Sequence, residues 1–342
     1  MKKLLFFAAA ASVALVACTK NEVAQIDNEI TYQTVQTRAE ALPFSTSNKF
    51  KSYAYFLPQG KTWNNNFNDP AKLYISAALI SFDSNKWKAE NTYYWPKQGS
   101  LTFFAWSTNT AAPAITEGIV DCSQAKGIIV DSYDLTKNKN VDFLVAEVAK
   151  DQEENTKVVG SWLAGVPTDF KHALSSIAFK VQKVQNYSNV TFTVKSIELQ
   201  GVSTKASYAQ TWNAAAPSSH KWTNTTPVTT GNIPAFTGEY VVNTVFPAEV
   251  EALGISGTDY YIVLPQTIDS AMKFKIVYDI TTNFTGTPVI ETVTEIIDLD
   301  DIYTTGWEPG KKYTVTLKLS MNEILWAPTV EEWVLTATEF PI

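Results

Sequence analysis

Apolar and polar residues alternate with a period of two along most of this chain, and this pattern restricts the fold to one built from strands. Successive side chains on a strand point to opposite faces, so the pattern gives one face that can be buried and one that can meet water. In the clearest case, residues 312–321, one face carries Tyr313, Val315, Leu317, Leu319 and Met321. We expect an all-β fold, with further strands at 52–57, 101–107, 141–147, 176–184, 190–194, 239–246, 259–264, 272–281 and 289–298.

Helical spacing is rare, and the best short helix candidate is the segment 70–80. Clusters of Gly, Pro, Asn and Ser separate the expected strands, and many short strands with such turns are typical of β-sandwiches. The 342 residues, 45% of them hydrophobic, exceed one sandwich of common size, so the sequence predicts two. A charged stretch at 149–155 and the Gly- and Pro-bearing segment after it place the boundary near 168, giving domains at 39–168 and 169–321.

The sequence gives no support for catalysis. Its two histidines, His172 and His220, are not near a nucleophile motif, and Gly-rich phosphate loops and Cys-x-x-Cys pairs are absent. We therefore expect neither an enzyme nor a cofactor or metal site, and a packed structural role for His172. The net charge of −7 argues against a nucleic-acid partner, which needs a clustered basic surface.

Residues 1–18 have the organisation of an export signal. Two lysines precede an apolar run at 4–17, which as a helix would span about 21 Å, less than the roughly 30 Å core of a bilayer. The run ends in the letters LVAC, which resemble a bacterial lipobox, so Cys18 is the expected lipidation site and its lipid would hold the chain at the outer membrane. An ordinary secretory signal, with Cys18 there by chance, is the alternative. Only Cys122 then remains, and we expect it to be a buried free thiol.

The 27 basic residues include a single arginine, Arg38. It follows a polar leader at 19–37 and precedes the first segment with a globular pattern, so an arginine-specific protease could cut only between Arg38 and Ala39. The alternative is an arginine-poor composition with one arginine tolerated in a flexible leader. Within the leader, residues 30–35 are rich in β-branched and aromatic types and could pair as a strand before removal.

Three tryptophans, Trp63, Trp212 and Trp222, lie in stretches rich in Asn, Ser and Thr. Tryptophans in such loops could stack on the sugars of a glycan, or anchor a host or bacterial partner. The alternative is that their rings cover the ends of the sandwiches.

Six short blocks, in order along the chain, resemble those of the fimbrillin family, the lipoprotein precursors of type V pilus subunits. The blocks are YYWP (93–96), LTFFAWS (101–107), DFLVA (142–146), FKHALSSI (170–177), YIVLPQ (261–266) and WEPGKKY (307–313). Each block is weak alone but the series is specific, and the lipobox and the single arginine stand where the family would place them.

The resemblance implies two transthyretin-like β-sandwich domains and a lipid-anchored precursor matured by an arginine-specific protease. It also implies that removal of the leader strand, 19–38, opens a groove that the C-terminal strand of a neighbouring subunit fills. A sandwich stripped of a strand has unpaired N–H and C=O groups and an apolar slot, which a strand from another chain can satisfy. In addition, the letters DSA at 269–271 resemble an O-glycosylation motif of bacteria rich in such pili, which would place a sugar on Ser270.

The last 21 residues, 322–342, fit the donor role, since they follow a clear strand and hold four Glu and no Lys. Pro328 cannot donate a hydrogen bond to a ladder, so we expect two short strands or one kinked strand. A terminal strand folded back on its own domain is the alternative. The apolar residues expected to face the groove are Ile324, Trp326 and Val330 in one parity and Trp333 and Leu335 in the other.

The sequence thus predicts a structural subunit, stalk or tip, of a cell-surface fimbrium that is exported through the periplasm, joins other subunits of its kind and supports adhesion. The alternative is a monomeric, lipid-anchored protein that binds surface glycans through its loop tryptophans. An anchor subunit should keep its leader, so a usable Arg38 counts against that third role.

Overall fold

The computed structural model describes residues 28–34, 44–61, 63, 72–153, 165–213, 216–226, 228–245, 251–253, 260–283, 286–321 and 324–333. Over these residues the chain is almost entirely strand, with one four-residue helix, α1 (Leu299–Ile302). The strands up to residue 172 are β1 (Tyr32–Thr34), β2 (Phe50–Leu57), β3 (Lys72–Asp83), β4 (Lys86–Ala89), β5 (Ser100–Ser107), β6 (Val120–Ser123), β7 (Gly127–Asp134), β8 (Leu144–Ala146), β9 (Ala149–Gln152), β10 (Val166–Thr168) and β11 (Phe170–His172).

The remaining strands are β12 (Ser175–Lys183), β13 (Val190–Ser203), β14 (Lys205–Asn213), β15 (Ala216–Asn224), β16 (Thr230–Val241), β17 (Glu251–Leu253), β18 (Tyr261–Val263), β19 (Lys273–Thr282), β20 (Val289–Asp298), β21 (Lys311–Leu319) and β22 (Ile324–Glu332). The expected all-β fold, with sandwiched sheets and an added C-terminal strand, is confirmed.

The N-terminal part of the chain forms one curled sheet. Its strands lie in the order β10-β1-β4-β3-β2-β5-β8-β11, and β9 pairs with β5 beside this path. The strands at the two ends, β10 and β11, follow each other along the chain with only Asp169 between them. One cluster of buried side chains draws on all eight strands of the path, so the sheet curls around that cluster. Its members include Tyr32, Phe50, Ile75, Trp87, Phe103, Leu144, Val166 and Phe170.

A second sheet, in the order β15-β14-β7-β6, packs on the outer face of the curled sheet. Strand β5 is therefore buried on both faces. Leu101 and Phe103 belong to the cluster inside the curled sheet, whereas Phe104 and Trp106 belong to the cluster shared with the second sheet. A strand buried on both faces has no polar face, and the middle of β5, residues 103–106, is an unbroken apolar stretch.

The C-terminal sandwich consists of two further sheets. One has the order β17-β12-β21-β22, with β18 also paired to β12, and the other has the order β16-β13-β19-β20. Alternate residues of the facing strands fill the space between them, including Phe179, Phe192, Phe274, Val315 and Leu317. This alternation of inner and outer residues is the period-two pattern from which the strands were predicted.

A single cut at residue 168 does not separate the sheets. The hairpin β14–β15 lies after that position, yet β14 pairs antiparallel with β7 of the N-terminal part. Ala206 and Tyr208 of β14 pack in the same cluster as Val130 of β7. The expected boundary at 168 is thus crossed by the hairpin β14–β15 and also by β11, which pairs with β8 of the curled sheet. Pattern and composition did not reveal the hairpin's partner, because the hairpin looks like any other pair of strands.

The best short helix candidate, 70–80, is not helical over its described residues, 72–80, which lie in the long strand β3. Its two buried apolar residues, Ile75 and Ile80, are five positions apart and so break the period of two. The structure places a β-bulge between them, with Ala77 at a positive φ of 47° and a register shift against β2. One extra residue in a bulge returns both side chains to the same face.

Candidate functional site

The described part of the leader, residues 28–34, is a paired part of the curled sheet. Strand β1 runs parallel to β10 with three residue pairs, and Tyr32 pairs antiparallel with Trp87 of β4. Just before β1, the amide of Ile30 donates to the Tyr93 carbonyl at 2.8 Å and that of Trp95 donates to the Asn28 carbonyl at 2.9 Å. The expectation that this segment pairs as a strand is confirmed for the residues described.

The leader also buries large side chains. Ile30 is 2% exposed and Tyr32 is 4% exposed. The Tyr32 ring meets Phe50 and Phe103 edge to face, with ring centroids 5.5 and 5.9 Å apart. Burial raises the pKa of the Tyr32 hydroxyl, because the charged phenolate would lose its hydration. The leader therefore completes the N-terminal core rather than lying on its surface.

Close backbone packing holds β1 against β10. A Cβ atom added to Gly165 would lie only 2.8 Å from the carbonyl carbon of Tyr32, so this position accepts glycine and nothing larger without movement. The amide of Val166 donates to the Thr31 carbonyl at 2.8 Å, directly beside this contact. Sequence reasoning did not identify Gly165, since an isolated glycine near an expected boundary carries no distinctive signal.

The expected modification sites of the leader, Cys18, Arg38 and Ala39, lie outside the described residues. Both of their roles therefore stay predictions. Among the residues described, no helix has the length and apolar character needed to cross a bilayer.

The C-terminal strand β22 lies along β21 of its own domain. The two strands pair antiparallel over nine residues, from Lys311 opposite Glu332 to Leu319 opposite Ile324, without a register shift. The prediction of two short strands or a kink at Pro328 is therefore wrong. Among the described residues β22 has β21 as its one neighbour, and an edge strand tolerates proline because its missing N–H can face away from the ladder.

The side chains of β22 are unequally buried. Ile324, at the start of the strand, belongs to the core cluster of the C-terminal sandwich. Val330, near its end, is 55% exposed, and Glu331 and Glu332 form surface ion pairs with Lys312 and Lys311. Leu335 and the side chain of Trp326, both expected donor residues, lie outside the described part.

Trp333, directly after β22, packs against the N-terminal part of the molecule. Its ring stacks on that of His172, and its amide donates to the Gly310 carbonyl at 2.8 Å. His172 is buried, as expected for a structural histidine, and its Nδ1 lies 3.0 and 3.1 Å from the two carboxylate oxygens of Asp142. The sequence singled out Trp333 and His172 separately, and nothing in it indicated that they meet.

The candidate glycan-stacking tryptophans are not a surface set. Trp63 is 2% exposed and packs on Tyr55 and Phe104 with ring centroids 5.7 Å from each. Trp222 lies on β15, where its ring packs beside Tyr208 and its Nε1 donates to the Ala173 carbonyl. The interpretation of Trp63 as an exposed residue is wrong, and Trp222 lies partly buried on a strand and not in a loop. Polar sequence neighbours do not report what lies above a side chain. The side chain of Trp212 lies outside the described part.

The two remaining residues that the sequence analysis named, Ser270 and Cys122, lie apart from these contacts. Ser270 lies in an exposed turn before β19, where Ala271 donates its amide to Asp269 at 2.9 Å. Cys122 is buried and free as expected, and burial raises the pKa of its thiol well above the usual value. Within the described ranges no group of three or more His, Cys, Asp or Glu side chains could hold a metal ion.

The fold and the sequence both have known relatives. The pattern of the fimbrillin-like family matches residues 26–333 of the chain. A fimbrial protein of Bacteroides vulgatus ATCC 8482 is similar in structure, with a TM-score of 0.65 and 19% identity over 90% of this chain and 99% of that one. A candidate cell adhesion protein of Bacteroides uniformis ATCC 8492 has a TM-score of 0.50 and 15% identity over 90% of this chain and 100% of that one.

Both likenesses show a shared fold, and no protein with a curated description matches the chain. The resemblance that the six sequence blocks indicated is confirmed by the family match, which spans nearly the whole molecule. The chain belongs to the fimbrillin-like family.

Proposed function

We propose that this protein is a structural subunit of a cell-surface fimbrium that assembles by strand exchange and supports adhesion. In this proposal, cleavage after Arg38 removes the leader, and the C-terminal segment 322–342 of a neighbouring subunit takes the place of β1. Membership of the fimbrillin-like family supports a pilus or adhesion role. The observation that carries the exchange step is the position of β1 between β10 and β4, inside the curled sheet.

Loss of the leader would leave the N-terminal core incomplete. Burial of Ile30 and Tyr32 contributes about 1.5–3 kcal/mol each by general transfer values. The backbone groups that now face the leader, among them the Val166 amide and the Tyr93 carbonyl, would lose their partners. A buried polar group without a partner costs about 1–3 kcal/mol. A cleaved subunit is thus strongly driven to accept another strand.

The present contacts of the C-terminal segment, as well as its sequence, support its role as the donor strand. Among the described residues it pairs on one side only, and its stretch from Pro328 to Glu332 is exposed. Separation of such an edge strand costs less than extraction of a strand with neighbours on both sides. The expected alternative, a strand folded back on its own domain, describes the unassembled chain and is compatible with later release.

The proposed location is the cell surface, reached by export through the periplasm. Lipid on Cys18 would hold the precursor in the outer membrane until cleavage after Arg38 separates the lipid from the subunit. Replacement of Cys18 by Ser should move the precursor from the detergent phase to the aqueous phase in a phase-partition assay. Retention in the detergent phase would contradict the lipid anchor.

Assembly is tested by treating the purified precursor with an arginine-specific protease and running the product in SDS without boiling. A ladder of SDS-resistant oligomers is expected, and it should disappear when residues 322–342 are deleted. The matched control is Arg38→Lys, which keeps the charge but removes the only cleavage site. Complete cleavage that yields only a monomer band would contradict strand exchange.

The glycan-binding alternative is not favoured, because Trp63 is buried and Trp222 is partly buried against Tyr208. A binding surface for a host or bacterial glycan would have to use other residues.

A further inference from the structure

The C-terminal segment is fastened to the N-terminal part of the molecule at one aromatic contact. Trp333 is 8% exposed, although the three strand residues just before it, from Val330 to Glu332, are exposed. Its ring lies 3.8 Å from the His172 ring, centroid to centroid, with only 6° between the two planes. Tyr260 meets the same indole edge to face, with centroids 5.4 Å apart. We call His172, Tyr260 and Gly310 the Trp333 socket.

The socket is rigid on the side away from the indole. Asp142, in the loop before β8, lies within 3.1 Å of His172 Nδ1, and since a carboxylate only accepts, Nδ1 carries the proton and donates it. The neighbouring amide of Ala173 donates to the Phe143 carbonyl at 2.9 Å. The imidazole plane is therefore fixed by the curled sheet before Trp333 arrives. A stacking surface that is held in place costs little entropy when a ring binds to it.

Among the described side chains of the segment 324–333, the buried ones lie at its two ends. Ile324 packs in the core of the C-terminal sandwich, and Trp333 packs in the cluster that the curled sheet shares with its second layer. Between them, Pro328, Thr329 and Val330 are exposed. The ion pairs of Glu331 and Glu332 are exposed too, and such pairs contribute little. Opening from the C-terminal end must therefore first remove Trp333 from its socket.

We propose that the stack of Trp333 on His172 is a latch that keeps the C-terminal segment closed on the unassembled subunit. The latch controls how often β22 separates from β21, and so how often residues 322–342 are available to a neighbour. The latch rests on the proposed function only for its biological purpose, because the contact between Trp333 and His172 lies within one chain. The occupant of the socket is this chain's own Trp333.

The test is amide hydrogen exchange of the full, uncleaved chain, followed by mass spectrometry. Trp333→Ala should raise the exchange rate of peptides from 324–333 by at least about tenfold, because aromatic stacking and loss of burial together are worth more than one factor of ten. Peptides from β13 and β19 should keep their rates. The matched control, Val330→Ala, shortens an exposed side chain on the same segment and should change the rate less than about twofold.

A double-mutant cycle identifies the partner ring. His172→Ala should speed exchange at 324–333 in the native background but add nothing in the Trp333→Ala background, because the contact is already gone. Trp333→Phe, which keeps a flat ring, should restore at least part of the protection. Equal rates in Trp333→Ala and Val330→Ala, or faster exchange throughout the molecule instead of locally, would overturn the latch. Since no cleavage is involved, the result does not depend on whether cleaved subunits assemble.

Discussion

The two terminal strands of this protein are held in opposite ways. The leader strand β1 has only three residues, but it lies between two neighbours and its Tyr32 is buried in an aromatic cluster. The C-terminal strand β22 has nine residues, but it lies at the end of its sheet and has exposed side chains over half its length. Strand length is therefore a poor guide to how firmly a strand is held. The number of paired sides and the buried area decide it.

The largest effect is expected from Tyr32→Ala. Removal of a buried aromatic ring from a closed core should lower the free energy of unfolding by about 3–5 kcal/mol. Urea unfolding of the uncleaved chain measures this. The control is Tyr94→Ala, since Tyr94 is adjacent to the leader but 58% exposed. Similar losses for the two variants would show that β1 is not held by its core side chain.

Acid should weaken the second sheet, β15-β14-β7-β6, which covers the outer face of the curled sheet. His220 on β15 lies partly buried beside Tyr208, and desolvation lowers its pKa from 6.5 to about 4. Below pH 6.5 the unfolded chain binds a proton that the folded chain does not, so stability falls until about pH 4, by about 3 kcal/mol in all.

Urea unfolding at a series of pH values measures this loss, and His220→Gln should flatten the slope between pH 6.5 and 4. An unchanged slope in that variant would assign the acid sensitivity to other groups.

Gly165→Ala should loosen the leader specifically. The new methyl group would meet the Tyr32 backbone, and overpacking of this kind costs about 1–3 kcal/mol. Gly60→Ala is the matched control, because Gly60 also has an unusual φ, of +78°, but no atom within 4 Å of a Cβ. Thermal unfolding of the two variants isolates the contact, and a larger loss at Gly60 would contradict the tight β1–β10 packing.

The smallest effects should come from the middle of β22. Val330→Ala should change the free energy of unfolding by less than about 0.5 kcal/mol, because its side chain is largely in water. Ile324→Ala, at the buried end of the same strand, should cost about 2 kcal/mol. Urea unfolding compares the pair, and a large loss at Val330 would mean that β22 is covered by more than its neighbour β21.

Much of this architecture could be predicted from local pattern, because strand formation and burial on one face follow from alternation. The leader segment 30–35 was identified by its β-branched and aromatic residues, and the long run 312–321 corresponds closely to β21. What local pattern could not show is how many neighbours each strand has. It therefore gave no sign that β1 lies inside the sheet or that the hairpin β14–β15 returns to the N-terminal part.

The candidate site residues also divide into those whose burial could be expected from the sequence and those whose contacts only the fold creates. The burial of Cys122 and His172 was expected as the usual state of a lone thiol and of a histidine without a catalytic motif nearby, and both are buried. The packing of Trp63 and the stack of Trp333 on His172 depend on residues more than forty positions away, so only the folded chain brings these groups together. Pro328 was expected to break or kink its strand because it cannot donate a hydrogen bond to a ladder, and an edge position removes that conflict.

The mixed pairing of β1 also sets the polarity of any replacement strand. A replacement strand between β10 and β4 must run parallel to β10 and antiparallel to β4. Only one direction of insertion therefore reproduces the present ladders. Each subunit would then receive its neighbour in one fixed orientation. Repetition of such a head-to-tail contact, with a rotation between subunits that does not close a ring, would generate an open, unidirectional fibre and not a closed pair.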